Sequence, residues 1–267
     1  MPKEKILILG DIHGRLIWYD IIQKENPDKV IFLGDYVTTH KSVSSEQQLS
    51  NLEDILNYKE EHLDKVILLR GNHDMQMLGY YWAECTGWDQ KVYEGMIPIK
   101  DRFLSLTQWI YQIPDTNIVC SHAGISEKFL DNVCKYFKSK DGWDFNIYDN
   151  EQLISHINDI EPCELFGFTP LYYSDYTGES ETQPCTWIRP YTLLRHGLKN
   201  IIHVVGHTPV SEILNLKNRV YQKSKEMFGD KYLSDIKEYA EVWCCDALED
   251  KQYLIIENNE FIPKILN

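Results

Sequence analysis

Ile6-Leu7-Ile8-Leu9-Gly10-Asp11-Ile12-His13-Gly14 is the stretch on which the fold turns. Four consecutive apolar residues predict a short strand covered on both faces, the pattern of a parallel sheet interior. The strand runs directly into a glycine, a carboxylate, an imidazole and a second glycine. An acid and a histidine two positions apart at the end of a buried strand are costly to bury unless something pairs them, and a metal ion pairs both.

The same pattern recurs down the chain. Lys29 to Leu33 reads as a strand ending in Gly34-Asp35, and Asp64 to Leu69 as one followed by Arg70-Gly71-Asn72-His73-Asp74. Asn117 to Cys120 leads into Ser121-His122-Ala123-Gly124, and Ile201 to Val205 into Gly206-His207-Thr208-Pro209. Helices are expected between the first strands, over 15–24 and 49–62, where apolar residues follow the helical spacing. Residues 38–50 read as a polar loop, 75–112 as helical and unusually aromatic, and 216–240 as charged and poorly periodic. Glu241 to Cys245, Gln252 to Ile256 and Phe261 to Ile265 read as closing strands, the last two joined at Asn258-Asn259. Strands alternating with helices, each strand ending in polar residues, predict a mostly parallel α/β core with its site at the carboxyl ends of the strands.

Composition bounds the function. The 267 residues are 43% hydrophobic and 25% charged, with net charge −14, which argues against an extended nucleic-acid surface and an anionic membrane surface. Seven cysteines without a CxxC pair suggest neither a disulfide framework nor a zinc ribbon and point to a cytoplasmic protein. No apolar run reaches the length of a signal sequence or a membrane span, so a soluble protein is expected. Oligomeric state is not legible. One domain over 1–267 is expected, with a substrate-shaping insertion at about 126–190 held by Trp143, Phe145 and Trp187.

Five polar clusters at strand ends share one chemistry. Asp, Asn and His offer oxygen and nitrogen donors and no thiolate, which suits Mn, Fe or Zn, with Ni or Co as further candidates. The number of donors exceeds what one ion takes and fits two, an arrangement suited to in-line displacement at phosphorus.

The motifs GDIHG, GDYV, LLRGNHD, SHAG and GHTP, in this order, resemble those of the calcineurin-like metallophosphoesterases. Within them they are most similar to the Ser/Thr phosphoprotein phosphatase branch, its bacterial and phage relatives, and the symmetrical diadenosine tetraphosphatases. The resemblance implies a four-layer α/β/β/α sandwich with a dinuclear metal site. It implies Asp11 and His13 on one ion, Asp35 bridging, and Asn72, His122 and His207 on the other. It also implies attack by a hydroxide bridging the metals, His73 as general acid, and Arg70 and Arg189 holding the phosphate of a phosphoprotein or nucleotide substrate. A dinucleoside polyphosphate or nucleotide hydrolase is the alternative, and a non-catalytic metal-binding scaffold the outside one.

The sequence also departs from that branch. The pattern GDYVDRG is here Gly34-Asp35-Tyr36-Val37-Thr38-Thr39-His40, so Thr38 replaces the Asp that orients the catalytic histidine and Thr39 the phosphate-contacting Arg. Thr38 is expected to accept a weaker hydrogen bond in the same role. His40 reads as a loop residue or a substitute positive donor. Asp74 stands where the branch has Glu, and Pro209 where related branches carry a further histidine ligand. Asp246 reads as a strand-end residue of supporting role, Cys244 and Cys245 as core, and Asp175, Glu179 and Glu181 as a solvated loop.

Overall fold

The computed structural model describes residues 4–38, 43–141, 156–168, 177–228 and 233–267. Thr39, His40, Trp143, Phe145 and Asp175, singled out from the sequence, lie outside them. In chain order the elements begin β1 (Ile6–Leu9), α1 (Ile17–Glu25), β2 (Lys29–Phe32), α2 (Ser45–Glu61), β3 (Val66–Leu69) and α3 (Asn72–Met77). There follow α4 (Gln90–Met96), α5 (Lys100–Leu106), β4 (Thr107–Gln108), β5 (Ile110–Gln112), β6 (Ile118–Ser121) and α6 (Glu127–Asp141). The chain continues through α7 (Pro190–His196), β7 (Ile202–Val205), β8 (Leu214–Asn215), α8 (Leu216–Phe228) and α9 (Leu233–Lys237). It ends with β9 (Glu241–Cys244), β10 (Gln252–Glu257) and β11 (Glu260–Ile265). The result is a mixed α/β fold with two sheets flanked by helices.

The elements form two compact units. The first comprises Met1–Gln108, Pro209–Ile213 and Cys245–Asn267. Its six-stranded sheet has the order β11-β10-β1-β2-β3-β4. Strands β1 to β4 run parallel, and β10 pairs antiparallel with both β1 and β11. The expected double burial of β1 is met: Leu7, Ile8 and Leu9 are inaccessible to solvent. Each such side chain contributes about 2 kcal/mol relative to exposure. Helices α1 and α2 are tied by polar contacts inside an apolar seam. Trp18 donates to Asn51 Oδ1 at 2.8 Å, and Asn51 donates onward to the Arg15 carbonyl.

The second unit comprises Trp109–Thr208 and Leu214–Cys244. Its five-stranded sheet has the order β5-β6-β7-β9-β8, with β6, β7 and β9 parallel and short antiparallel edges. Cys244 and Cys245, expected in the core, are buried.

Four local expectations need correction. The helical reading of 75–112 fails at its end, where Thr107 to Gln112 supplies β4 and β5. Both strands are completed by distant partners, β3 and β6, so sheet pairing overrides the local signal. The polar loop 38–50 gives way to helix at Ser45, because Ser44 caps α2 by accepting from the Gln47 N–H at 3.1 Å. The insertion expected from about 126, for which the sequence predicts no secondary structure, begins with the fifteen-residue α6, whose Phe129, Leu130 and Val133 are buried. Residues 216–240, charged and poorly periodic in sequence, contain α8 and α9.

Candidate metal centre

In the first unit, the loops after β1 and β2 are laced together by their backbones. The N–H groups of Ile12 and His13 donate to the Asp35 carbonyl at 3.0 and 2.8 Å, and Gly14 N–H donates to the Tyr36 carbonyl at 2.9 Å. His13, Asp35 and Thr38 all sit at positive φ, a conformation non-glycine residues adopt only when the surroundings enforce it. The enforced turns bring ligand atoms of Asp11, His13 and Asp35 within 4.8 Å of one another.

The chemistry of this cluster fits a cation. Asp11 and Asp35 are each 1% exposed. His13 Nδ1 donates to the Thr38 carbonyl at 2.6 Å, which leaves Nε2 of the neutral ring as an acceptor. That Nε2 faces Asp11 Oδ2 at 3.8 Å and Asp35 Oδ2 at 4.0 Å. Acceptors turned toward acceptors at these separations leave the space a metal ion fills, and a carbonyl behind the ligating imidazole is the usual support.

The loop after β3 closes around Asp35. Asp74, fully buried, accepts from the N–H groups of Asp35 and Gly71 through Oδ2, at 2.9 and 2.8 Å, and of Tyr36 through Oδ1 at 2.9 Å. Its carboxylate therefore holds the turn that aims Asp35. The approach is tight: a Cβ on Gly71 would stand 2.1 Å from Asp35 Oδ1, so only glycine fits there. His73 N–H donates to Asp35 Oδ1 at 3.0 Å, and its ring lies edge-on to His13 with centroids 5.4 Å apart.

Asn72 is buried, and its amide N–H donates to Cys85 Sγ at 3.5 Å. Cys85 Sγ also lies 3.7 Å from His73 Nδ1. Arg70 is anchored through Nε to Thr107 Oγ1 and through Nη2 to the Leu104 and Thr107 carbonyls, at 3.1, 2.9 and 2.9 Å. Beside Cys85 and Gln76 opens a cavity of about 310 Å³ walled by Tyr80, Tyr81, Trp88 and Tyr93. The aromatic stretch thus divides, with Trp82 and Trp109 buried as core and Tyr81 and Trp88 exposed.

In the second unit, β6 and β7 run side by side in register Ser121↔Val205, so the residues that follow them are neighbours. Gly206 N–H donates to the His122 carbonyl at 2.8 Å, and the His122 and His207 rings meet edge-on, centroids 5.1 Å apart. Both imidazoles are buried. His207 Nε2 donates to the Trp187 carbonyl at 3.1 Å, which turns Nδ1 out as the acceptor. Arg189 lies against the same loop, with Nη1 on Thr208 Oγ1 at 3.2 Å and Nε on the Thr177 carbonyl at 3.1 Å. Burial pushes its guanidinium below the ordinary value, against the opposing pull of Glu179.

Eight of the nine predicted site residues follow strand ends of their units, and Arg189 stands at the start of α7 against the loop after β7. Thr38 does not take over the missing carboxylate's part among the described residues: its hydroxyl is buried without a hydrogen-bond partner, and its carbonyl serves His13 instead. Sequence reasoning missed Cys85 altogether. It noticed Asp74 only as a departure from pattern, although an acid at the third position of a helix opened by Gly71 is a legible capping signal.

Oxygen and imidazole donors gathered at successive ends of parallel strands define an α/β protein equipped to hold metal. The calcineurin-like phosphoesterase profile matches residues 4–211, and the chain belongs to that family. Among solved structures, the cold-active protein-tyrosine phosphatase of a psychrophile Shewanella species is 17% identical at TM-score 0.54, covering 98% of this chain and 78% of that one. A point mutant of a cold-active protein tyrosine phosphatase is 18% identical at TM-score 0.55, with the same coverages, 98% and 78%. These likenesses show the fold. Family membership supports a phosphoester hydrolase. No helix among the described residues is long and apolar enough to cross a membrane.

Proposed function

We propose that this protein is a two-metal phosphomonoesterase of the phosphoprotein phosphatase type. The observation that carries the reading is the buried Asp11–His13–Asp35 cluster, whose acceptors face one another around a space for a cation. Asp11 and His13 would hold one ion, Asn72, His122 and His207 would hold the other, and Asp35 would serve both. When bound, the ions activate water and take up charge on the phosphate oxygens; Mn, Fe and Zn suit the donor set, with Ni and Co behind them. Arg70, already immobilised by Thr107 and Leu104, contributes positive charge to the phosphate without reorganising, and Arg189 does the same from beside Thr208. His73 donates a proton to the departing oxygen.

A built-in proton donor matters most for poor leaving groups. That favours the alkyl oxygens of phosphoserine and phosphothreonine over phosphotyrosine, although the similar Shewanella protein is a protein-tyrosine phosphatase. A second reading, hydrolysis of a dinucleoside polyphosphate or another nucleotide, is favoured by the aromatic cavity at Tyr80, Tyr81, Trp88 and Tyr93, which suits a base. The seven cysteines, none of them in a disulfide, support a reducing, cytoplasmic setting.

A panel on manganese-loaded protein tests the reading: phosphoserine, phosphothreonine and phosphotyrosine peptides, diadenosine tetraphosphate, nucleotides, a cyclic phosphodiester and 4-nitrophenyl phosphate. Phosphoserine or phosphothreonine peptides are expected to turn over fastest. Preference for the dinucleotide selects the second reading, and inactivity throughout, with no bound metal, overturns both.

A further inference from the structure

We infer that Cys85 is the positioning residue of the proton donor, its Sγ holding His73 as the tautomer that bears its proton on Nδ1. The inference rests on the role of His73 proposed above and fills the place of the carboxylate that Thr38 replaces. It follows from where one proton sits.

Gln76 is anchored first. The Cys85 backbone N–H donates to its side-chain oxygen at 3.0 Å, and because a backbone N–H can only donate, the amide atom it meets is Oε1 and not Nε2. Cys85 Sγ contacts that same Oε1. An amide oxygen carries no proton, so the single thiol proton points there. The rest of the sulfur surface then presents lone pairs only. Two groups face it. Asn72 Nδ2, a donor, stands at 3.5 Å, and His73 Nδ1 stands at 3.7 Å. A sulfur whose proton is already committed can meet His73 Nδ1 favourably only as an acceptor, so Nδ1 bears hydrogen. Nε2 is thereby the atom that gains and gives the catalytic proton, and it is restored to the same tautomer after each transfer.

The same sulfur accepts from the Asn72 amide, a second donor consistent with a thiol proton committed elsewhere. Thr38 has no comparable contact, since its hydroxyl is without a hydrogen-bond partner among the described residues.

Two measurements on the full chain test this. The first uses no catalysis: long-range 15N–1H correlation spectra of metal-free protein, with the His73 signals assigned from their loss in His73→Asn. Wild type is expected to show the Nδ1–H tautomer, Cys85→Ala a mixture, and Cys85→Ser the wild-type form. An Nε2–H tautomer in wild type overturns the inference.

The second compares phenyl phosphate, a poor leaving group, with 4-nitrophenyl phosphate, a good one, on manganese-loaded protein. Because a general acid supplies two to four decades when fully used, partial misplacement in Cys85→Ala should lower kcat roughly tenfold on phenyl phosphate and under about threefold on 4-nitrophenyl phosphate. KM and bound manganese should hold, and Cys85→Ser should recover most of the loss. Equal losses on both substrates, or lost metal, identify a merely structural cysteine and overturn the inference. Wild-type inactivity on both aryl phosphates overturns the phosphomonoesterase reading instead, and the spectra still decide the tautomer.

Discussion

The strand ends of the two units assemble their candidate ligands differently. In the first, buried carboxylates are aimed by backbone N–H groups, and three consecutive strand loops carry non-glycine residues at positive φ or a glycine in forced contact. In the second, the donors are imidazoles, and carbonyl oxygens do the aiming, as Trp187 does for His207. A carboxylate offers two interchangeable oxygens and needs its whole turn held. An imidazole needs only its far nitrogen occupied to fix both tautomer and direction. Both units hold a candidate ligand at positive φ, His13 and Asp35 in the first and His207 in the second, but the buried carboxylates are concentrated in the first.

Substitutions should reveal that asymmetry. Asp35→Ala is expected to have the largest effect, with turnover down by about a thousandfold or more and both ions lost. His207→Ala should lose one ion and fall by about a hundredfold, since charge stabilisation by the remaining site persists. Metal analysis beside steady-state kinetics checks both, and equal metal loss in the two variants would break the comparison. Next comes Asp74→Ala, which strands three backbone N–H groups at about 1 kcal/mol or more each. Metal-free protein should lose about 3 kcal/mol in urea unfolding, and a loss under about 1 kcal/mol would show that the Asp35 turn holds itself.

The second unit has its own buried imidazole in His203, whose Nε2 faces the Leu198 carbonyl at 3.0 Å. Burial, opposed by that carbonyl, pushes its pKa down from 6.5 to about 4. The unfolded chain binds this proton more readily than the folded one, so the stability tied to the neutral ring is complete above about pH 6.5. It drains as pH falls toward 4, by up to about 3 kcal/mol. Wild type should therefore lose more stability than His203→Gln across that window, and parallel pH profiles would contradict it. The smallest effect is expected at Thr38, held at φ 61° with a buried hydroxyl. Thr38→Gly should raise stability by about 1 kcal/mol in metal-free protein, as strain is relieved.

Much of this was visible in the sequence. An apolar run ending in an acid or imidazole carries two signals at once, a buried strand and a polar group that burial must compensate, and all five such junctions lie at strand ends. What escaped had no local signature. Strands β4 and β8 are two residues long and exist through pairing with β3 and β9. Asp74 reads as a minor change until its carboxylate is seen on the N–H groups of Asp35 and Tyr36. Cys85 meets Asn72, His73 and Gln76 only because the chain doubles back after α3, and no periodicity announces that return.

The pairing of β1 also bears on the order of assembly during synthesis. One flank of β1 is β2, available early, but the other is β10, with Ile6 opposite Ile256. Until the ribosome has released residues up to about that point, the strand that delivers Asp11 and His13 has an open apolar edge. Such long-range pairings form slowly, and edges left open meanwhile attract other chains. The nascent chain therefore carries Asp11 and His13 at the end of an unsealed strand until residues near Ile256 emerge, and the cluster they form with Asp35 is secured only after that point.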